Sequence, residues 1–176
     1  MWRPTSKSTW RGSTGPGRTT SSCSCFPELS LTGYKIGSRG YQLGMGVRHP
    51  VLKKLAEAAG DMAVVVGFVE EGYAAQFFSA AAYLEQGHVK FVHRKLNLAN
   101  YGAMEEAKFF APGRYLETVE IARPFAGAIL LCADTWNPAL VHLAALHGAT
   151  MLMVPTNSSL DAESGDFSKP DKWTSR

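Results

Sequence analysis

A thiol, an ammonium and two carboxylates stand out in this sequence for the company they keep. Cys132 closes the apolar run of residues 127–132 (GAILLC), just ahead of a polar loop and a helix with Pro138 near its start. A thiol at a strand's C-terminal end meets backbone N–H donors and the positive end of a helix dipole, which would shift it toward thiolate. Such a thiolate is a nucleophile. A buried core cysteine is the plainer alternative. Glu28 sits among apolar neighbours in residues 26–34 (FPELSLTGY). Burial would raise its pKa into the working range of a general base, whereas exposure would leave an ordinary loop carboxylate. Lys95 follows an apolar strand in residues 93–98 (HRKLNL) and could hold a developing oxyanion or favour a nearby thiolate, if it is not simply solvated. Glu106 lies beside Glu105 in a long polar loop, where on its own it reads as half of a solvated acidic pair.

Other pairings are weaker. Cys132 with His142 or His147 would make a Cys–His dyad, but the two histidines are five apart on one helix and do not share a face. His88 and His93 have odd spacing on one strand, so they point to opposite faces and share no metal. Cys23-Ser-Cys25 lacks further ligands at metal spacing. Gly12, Gly15 and Gly17 follow no strand, so they form no phosphate loop.

The elements that would position these groups alternate. Residues 50–59 (PVLKKLAEAA) carry an apolar 3–4 spacing between Pro50 and Gly60, which predicts a helix. Residues 63–69 (AVVVGFV) predict a buried strand. Residues 76–84 and 89–93 predict two strands joined by a turn at Glu85-Gln86-Gly87. A polar loop follows through residues 97–113. Strands are then predicted at 116–121, 127–132 and 150–154, with a helix over 138–147. Strands interleaved with helices make the class α/β.

Composition separates the first 25 residues from the rest. They contain 4 of the 18 Lys and Arg, none of the 15 Asp and Glu, and 11 Ser or Thr. Residues 1–25 therefore read as a disordered leader, with residues 26–176 as the folded part. The leader has no apolar core for a secretory signal, and without an amphipathic stripe it is a poor transit peptide. Beyond it the charges nearly balance, which gives no electrostatic case for nucleic acid. No run of eighteen apolar residues offers a membrane span. Three cysteines, at 23, 25 and 132, are too few and too unevenly placed for a disulfide framework and suit a reducing, cytoplasmic setting.

Taken in order, residues 26–34 (FPELSLTGY), 93–113 (HRKLNLANYGAMEEAKFFAPG) and 129–138 (ILLCADTWNP) resemble the carbon–nitrogen hydrolase, or nitrilase, superfamily. The resemblance implies an αββα sandwich, usually assembled as a homo-oligomer, with a Glu–Lys–Cys triad. By motif position the triad falls on Glu28, Lys95 and Cys132. A further glutamate maps to Glu106, with Glu105 as the register alternative. The implied chemistry, which requires no metal or organic cofactor, is hydrolysis of an amide (glutamine-like or N-carbamoyl substrates included) or a nitrile through a thioester on Cys132. Glu28 would be the base, and Lys95 with the Ala133 N–H would hold the oxyanion. The motifs lean toward amidases and glutaminases rather than true nitrilases.

Two departures from the family are expected. Polar residues 21–25 (SSCSC) stand where the family's first strand should be, so that strand and its covering helix read as missing. A frameshift or a misassigned start would account for the change. The chain also ends at Arg176, before the family's last strands and helix, so the sandwich reads as incomplete. An inactive fragment is the competing expectation to a working hydrolase.

Overall fold

The computed structural model describes residues 8–13, 20–34, 36, 39–101, 104–122 and 125–157. The strands are β1 (Ser8–Ser13), β2 (Thr20–Cys25), β3 (Ala63–Glu71), β4 (Phe77–Glu85), β5 (His88–Arg94), β6 (Thr118–Ala122), β7 (Phe125–Ile129) and β8 (Met151–Met153). The helices are α1 (Gly40–Leu43), α2 (Pro50–Ala59) and α3 (Pro138–Leu146). They bear out the α/β class.

Five strands form one sheet in the order β1-β2-β3-β4-β5, and three form another in the order β6-β7-β8. β2 runs parallel to β3, which is antiparallel to β4, which is antiparallel to β5. The C-terminal ends of β2, β3 and β5 therefore lie at one end of the sheet. In the second sheet β7 runs parallel to β8. The inner faces meet in a core of Cys23, Val65, Ala81 and Tyr83 from the first sheet and Ile121, Ile129 and Met153 from the second. On the outer face of the first sheet, α2 lays Leu52 and Ala56 over Val64, Val66, Phe68, Ala80 and Leu84. On the second, α3 covers Ala128 and Leu130 with Leu140, Val141 and Ala144. These are the layers of a nitrilase-type sandwich.

Local signals explain most boundaries. α2 starts with Pro50 in its first turn and with His49 Nδ1 accepting from the Val51 N–H, and ends at Gly60 with φ +57°. The β4–β5 hairpin turns on Gln86 and Gly87, with φ of 51° and 75°, the paired positive angles of a tight hairpin turn. Strands predicted at 116–121 and 127–132 are displaced to Thr118–Ala122 and Phe125–Ile129. The second stops short because Cys132 takes φ +42° and opens a 3-10 turn, Cys132–Trp136.

The leader needs a correction. The strand that should precede FPE is present, formed by the residues that read as structureless. β2 pairs Cys23, Ser24 and Cys25 with Ala63, Val64 and Val65, and β1 pairs along its other edge. Backbone pairing needs no apolar side chain, and the small Cys23 and Ser24 fit a buried strand at 6% exposure each. No helix among the described residues is long and apolar enough to cross a membrane.

Candidate active site

Two sheets deliver the chemical groups to one place. Glu28 lies three residues beyond β2 and Lys95 directly after β5, at the same end of the first sheet. Cys132 lies three residues beyond β7 in the second sheet. Glu106 enters from the loop between the sheets, on a 3-10 turn, Glu106–Lys108.

Lys95 is 1% exposed, with its Nζ 2.7 Å from Glu28 Oε1 and 2.8 Å from Glu106 Oε1. Glu28 is as deeply buried; its Oε1 also accepts from Ser79 Oγ at 3.2 Å. Its Oε2 is buried with no hydrogen-bond partner among the described residues, which leaves one face of the carboxylate open for a proton. Glu106 accepts from the Tyr34 hydroxyl through Oε1 and from the Ala99 N–H through Oε2. Glu105, the register alternative, is exposed and paired with Lys108. The buried member of the acidic pair is therefore Glu106.

Close packing of backbone aims two of these side chains. Leu29, next to Glu28, has φ +51°, and the loop at Pro27–Leu29 presses on Gly67 of β3. A Cβ on Gly67 would clash with Leu29 N and come within 2.7 Å of Pro27 O. Gly113 donates its N–H to Lys95 O at 2.7 Å, and a Cβ added there would clash with Arg94 O.

Electrostatics tie Cys132 to this cluster. Burial first, then the Glu28 charge, pushes the thiol above 9.0; Lys95 and the Asn157 N–H pull it down, and Glu106 adds to the rise. The net shift is upward, which corrects the expectation of a thiol acidified toward thiolate. The expected helix N-terminus is not next to the sulfur, because the 3-10 turn separates Cys132 from α3. Glu28 is raised above the usual carboxylate value, chiefly by burial, against the lowering effect of Lys95. Burial alone would lower Lys95, but Glu28 and Glu106 outweigh it and hold the ammonium above 10.5. A neutral thiol beside a carboxylate of raised basicity is an arrangement for proton transfer on attack.

Ala133, the expected oxyanion donor, is fully buried on the turn after the thiol. Tyr101 stacks on Trp136, ring centres 5.1 Å apart, and Tyr101 also feels the charges of Cys132 and Lys95. The sequence reading passed over Tyr34, Ser79 and Asp134. Tyr34 closes the same motif as Glu28, and Asp134 stands two residues from Cys132, so motif context offered a signal for both. Ser79 offered none. His142 and His147 lie on or beside α3, and His147 Nδ1 meets Leu116 O. A separate cleft of about 750 Å³, lined by Glu70, Phe78, Arg94 and Tyr115, contains none of the four groups. The chemistry, not this cleft, marks the site.

Known proteins resemble this chain. A glutamine-dependent NAD(+) synthetase of Thermotoga maritima is 34% identical over 116 residues, which cover 64% of this chain and 20% of that protein. A probable nitrilase of Schizosaccharomyces pombe is 30% identical over 139 residues, 75% of this chain and 49% of its own length. The chain thus spans half or less of the length of both. An amidase from Nesterenkonia superposes with a TM-score of 0.66 at 25% identity, over 81% of this chain and 55% of that one. That structure, of a variant, carries the acetamide moiety of fluoroacetamide added covalently at its active-site cysteine. The carbon-nitrogen hydrolase profile matches residues 14–174, so it begins inside the stretch read as a non-family leader, and with that span this chain belongs to the carbon-nitrogen hydrolase family.

Proposed function

We propose that this protein hydrolyses a small carboxamide through a thioester on Cys132, with Glu28, Lys95 and Glu106 as its partners. The observation that carries the reading is the buried ionic cluster: one ammonium held by two carboxylates, electrostatically coupled to a thiol. Glu28 takes the thiol proton as Cys132 Sγ attacks the amide carbon. Lys95 and the Ala133 N–H stabilise the tetrahedral oxyanion. The proton on Glu28 passes to the leaving nitrogen, the C–N bond breaks, and ammonia or an amine departs. Glu28 then removes a proton from water, whose oxygen attacks the thioester. Collapse releases the carboxylic acid, and the proton returns to sulfur. Glu106 holds the Lys95 ammonium as its second carboxylate partner. Every step uses these groups and water.

The synthetase and amidase similarities favour primary amides, the glutamine side chain among them, over nitriles. A self-associated form, usual in the family, belongs to the same reading. The test is ammonia release from a panel of simple amides, glutamine and one nitrile, with Cys132→Ala alongside. Release that vanishes in the variant, with a covalent acyl adduct on Cys132 by mass spectrometry, supports the mechanism. Release that survives the substitution, or none from any substrate, rejects it.

A further inference from the structure

Asp134 is fully buried two residues after the nucleophile, and the scheme above gives it no part. Its Oδ1 accepts from the Leu96 N–H at 3.0 Å and from the Asn97 N–H at 2.6 Å. Its Oδ2 accepts from the Leu131 N–H at 2.9 Å and lies 3.2 Å from His93 Nε2. A carboxylate offers about four lone-pair sites. All four are engaged, so Asp134 has no capacity left to take a proton from substrate or thiol. Among the described residues His93 Nδ1 is buried without a partner, which makes Nε2 the ring's one engaged nitrogen there. Asn97 answers from the other side: its Nδ2 donates to Ala133 O at 2.8 Å.

These bonds join particular places. Leu96 and Asn97 follow Lys95 on the first sheet's side. Leu131 and Ala133 flank Cys132 on the second sheet's side. Among the described residues, no strand pairing connects the two sheets. Cross-bonds from Asp134 and Asn97 therefore fix the nucleophile's turn against the lysine's segment, within one or two residues of each reacting group. A carboxylate accepts such bonds more firmly than a neutral amide oxygen would.

We propose that Asp134 and Asn97 act as one positioning latch, setting the placement of Cys132 relative to Lys95 and Glu28 for the amide hydrolysis; this rests on the function proposed above. Misplacement of reacting groups by about 1 Å costs on the order of a hundredfold in rate. Asp134→Asn keeps the shape but turns an NH2 toward two donors, breaking half of the latch. Asn97→Ala removes the reciprocal bond and leaves Asp134 untouched.

Two readouts separate positioning from mere stability. The first is kcat against KM for the best amide, and the second is the pH dependence of Cys132 alkylation by iodoacetamide, read on its own peptide. The second needs no turnover. It reports how Cys132 sits among Glu28, Lys95, Glu106, Tyr34 and Tyr101, the ionisable groups coupled to it. In folded Asp134→Asn, kcat falls about a hundredfold with little change in KM, and alkylation shifts toward an ordinary thiol profile. Asn97→Ala shows the same changes, smaller, at a nearly unchanged melting temperature; it decides the matter if Asp134→Asn does not fold. Wild-type kcat and alkylation in either folded variant overturn the latch. If wild type releases no ammonia from any amide, the function fails, and an unshifted alkylation profile then overturns the latch separately.

Discussion

Two carboxylates face one ammonium where almost no water reaches, so with all three ionised the cluster carries a net negative charge. Removing different members should therefore have unequal effects. Lys95→Met leaves Glu28 and Glu106 facing each other unpaired, and should cost about 3–5 kcal/mol at neutral pH. Glu28→Gln leaves a balanced Lys95–Glu106 pair, still accepts from Lys95 and Ser79, and should cost no more than about 1 kcal/mol. Both should abolish ammonia release. Urea unfolding of the two variants checks this, and equal losses of stability would contradict the charge count. The pH dependence follows with its signs. Folded Glu28 holds its proton more tightly than the unfolded chain does, so its ionisation opposes folding, and stability declines as pH rises above 4.5 through its raised pKa. Lys95 acts in the same direction, though here it is the charged form that favours folding: its contribution is complete below 10.5 and lost as pH climbs through its raised pKa. Catalysis needs Glu28 ionised while Cys132 keeps its proton. The acid limb of kcat/KM should therefore lie above the ordinary carboxylate value of 4.5, as a property of the coupled set. An acid limb at or below that value would remove Glu28 from the role of base.

Elements place these groups through contacts that admit no side chain. Gly67 lies in the middle of β3, and the Cβ of an alanine there would strike Leu29 N and Pro27 O, backbone atoms that cannot swing aside. Gly67→Ala should push the Glu28 loop outward, cost about 1–3 kcal/mol and lower kcat. Gly46→Ala meets nothing within 4 Å and should change neither, which makes it the control for the same substitution. Thermal melts and kcat of the pair test this; a Gly67→Ala variant with wild-type kcat would show that the loop tolerates the shift. The limits of the sequence also lie at this scale. α2, β3, β4, β5 and the Gln86–Gly87 turn were readable because apolar period, Pro, Gly and β-branched residues agree in each. β2 was not, because its Cys and Ser residues carry neither alternation nor bulk; its place comes from pairing with β1 and β3. Cys132 was found by position but misjudged in charge, because the adjoining helix is held off by a 3-10 turn and burial dominates. Glu106 looked solvated because its partners, Tyr34, Lys95 and Ala99, lie 72, 11 and 7 residues away in sequence.

At the scale of the whole molecule, the site exists only where the two sheets meet. Glu28 and Lys95 belong to one and Cys132 to the other, so the core between the sheets is also the mount of the proposed site. The outer core under α2 holds the same strands but joins nothing to Cys132. Ile129 of β7 is fully buried between the sheets, three residues before Cys132. Leu52 of α2 is equally buried on the far face. Truncating either to alanine should cost about 2–5 kcal/mol, since both lose buried methyl groups and leave a cavity. Stability alone would make the two variants equivalent, but their effects on the chemistry should differ. In Ile129→Ala the second sheet can settle toward the cavity and carry Cys132 with it, so kcat per folded molecule should fall. In Leu52→Ala the collapse occurs behind the first sheet, and kcat per folded molecule should stay near wild type. The comparison requires unfolding curves for both variants, with kcat measured where each is more than nine-tenths folded by those curves. Equal kcat in the two would mean that the cross-bonds at Asp134 and Asn97 hold the site together without help from the inter-sheet core. A larger loss in Leu52→Ala would mean that the helix layer, not the meeting of the sheets, sets the geometry of the thiol.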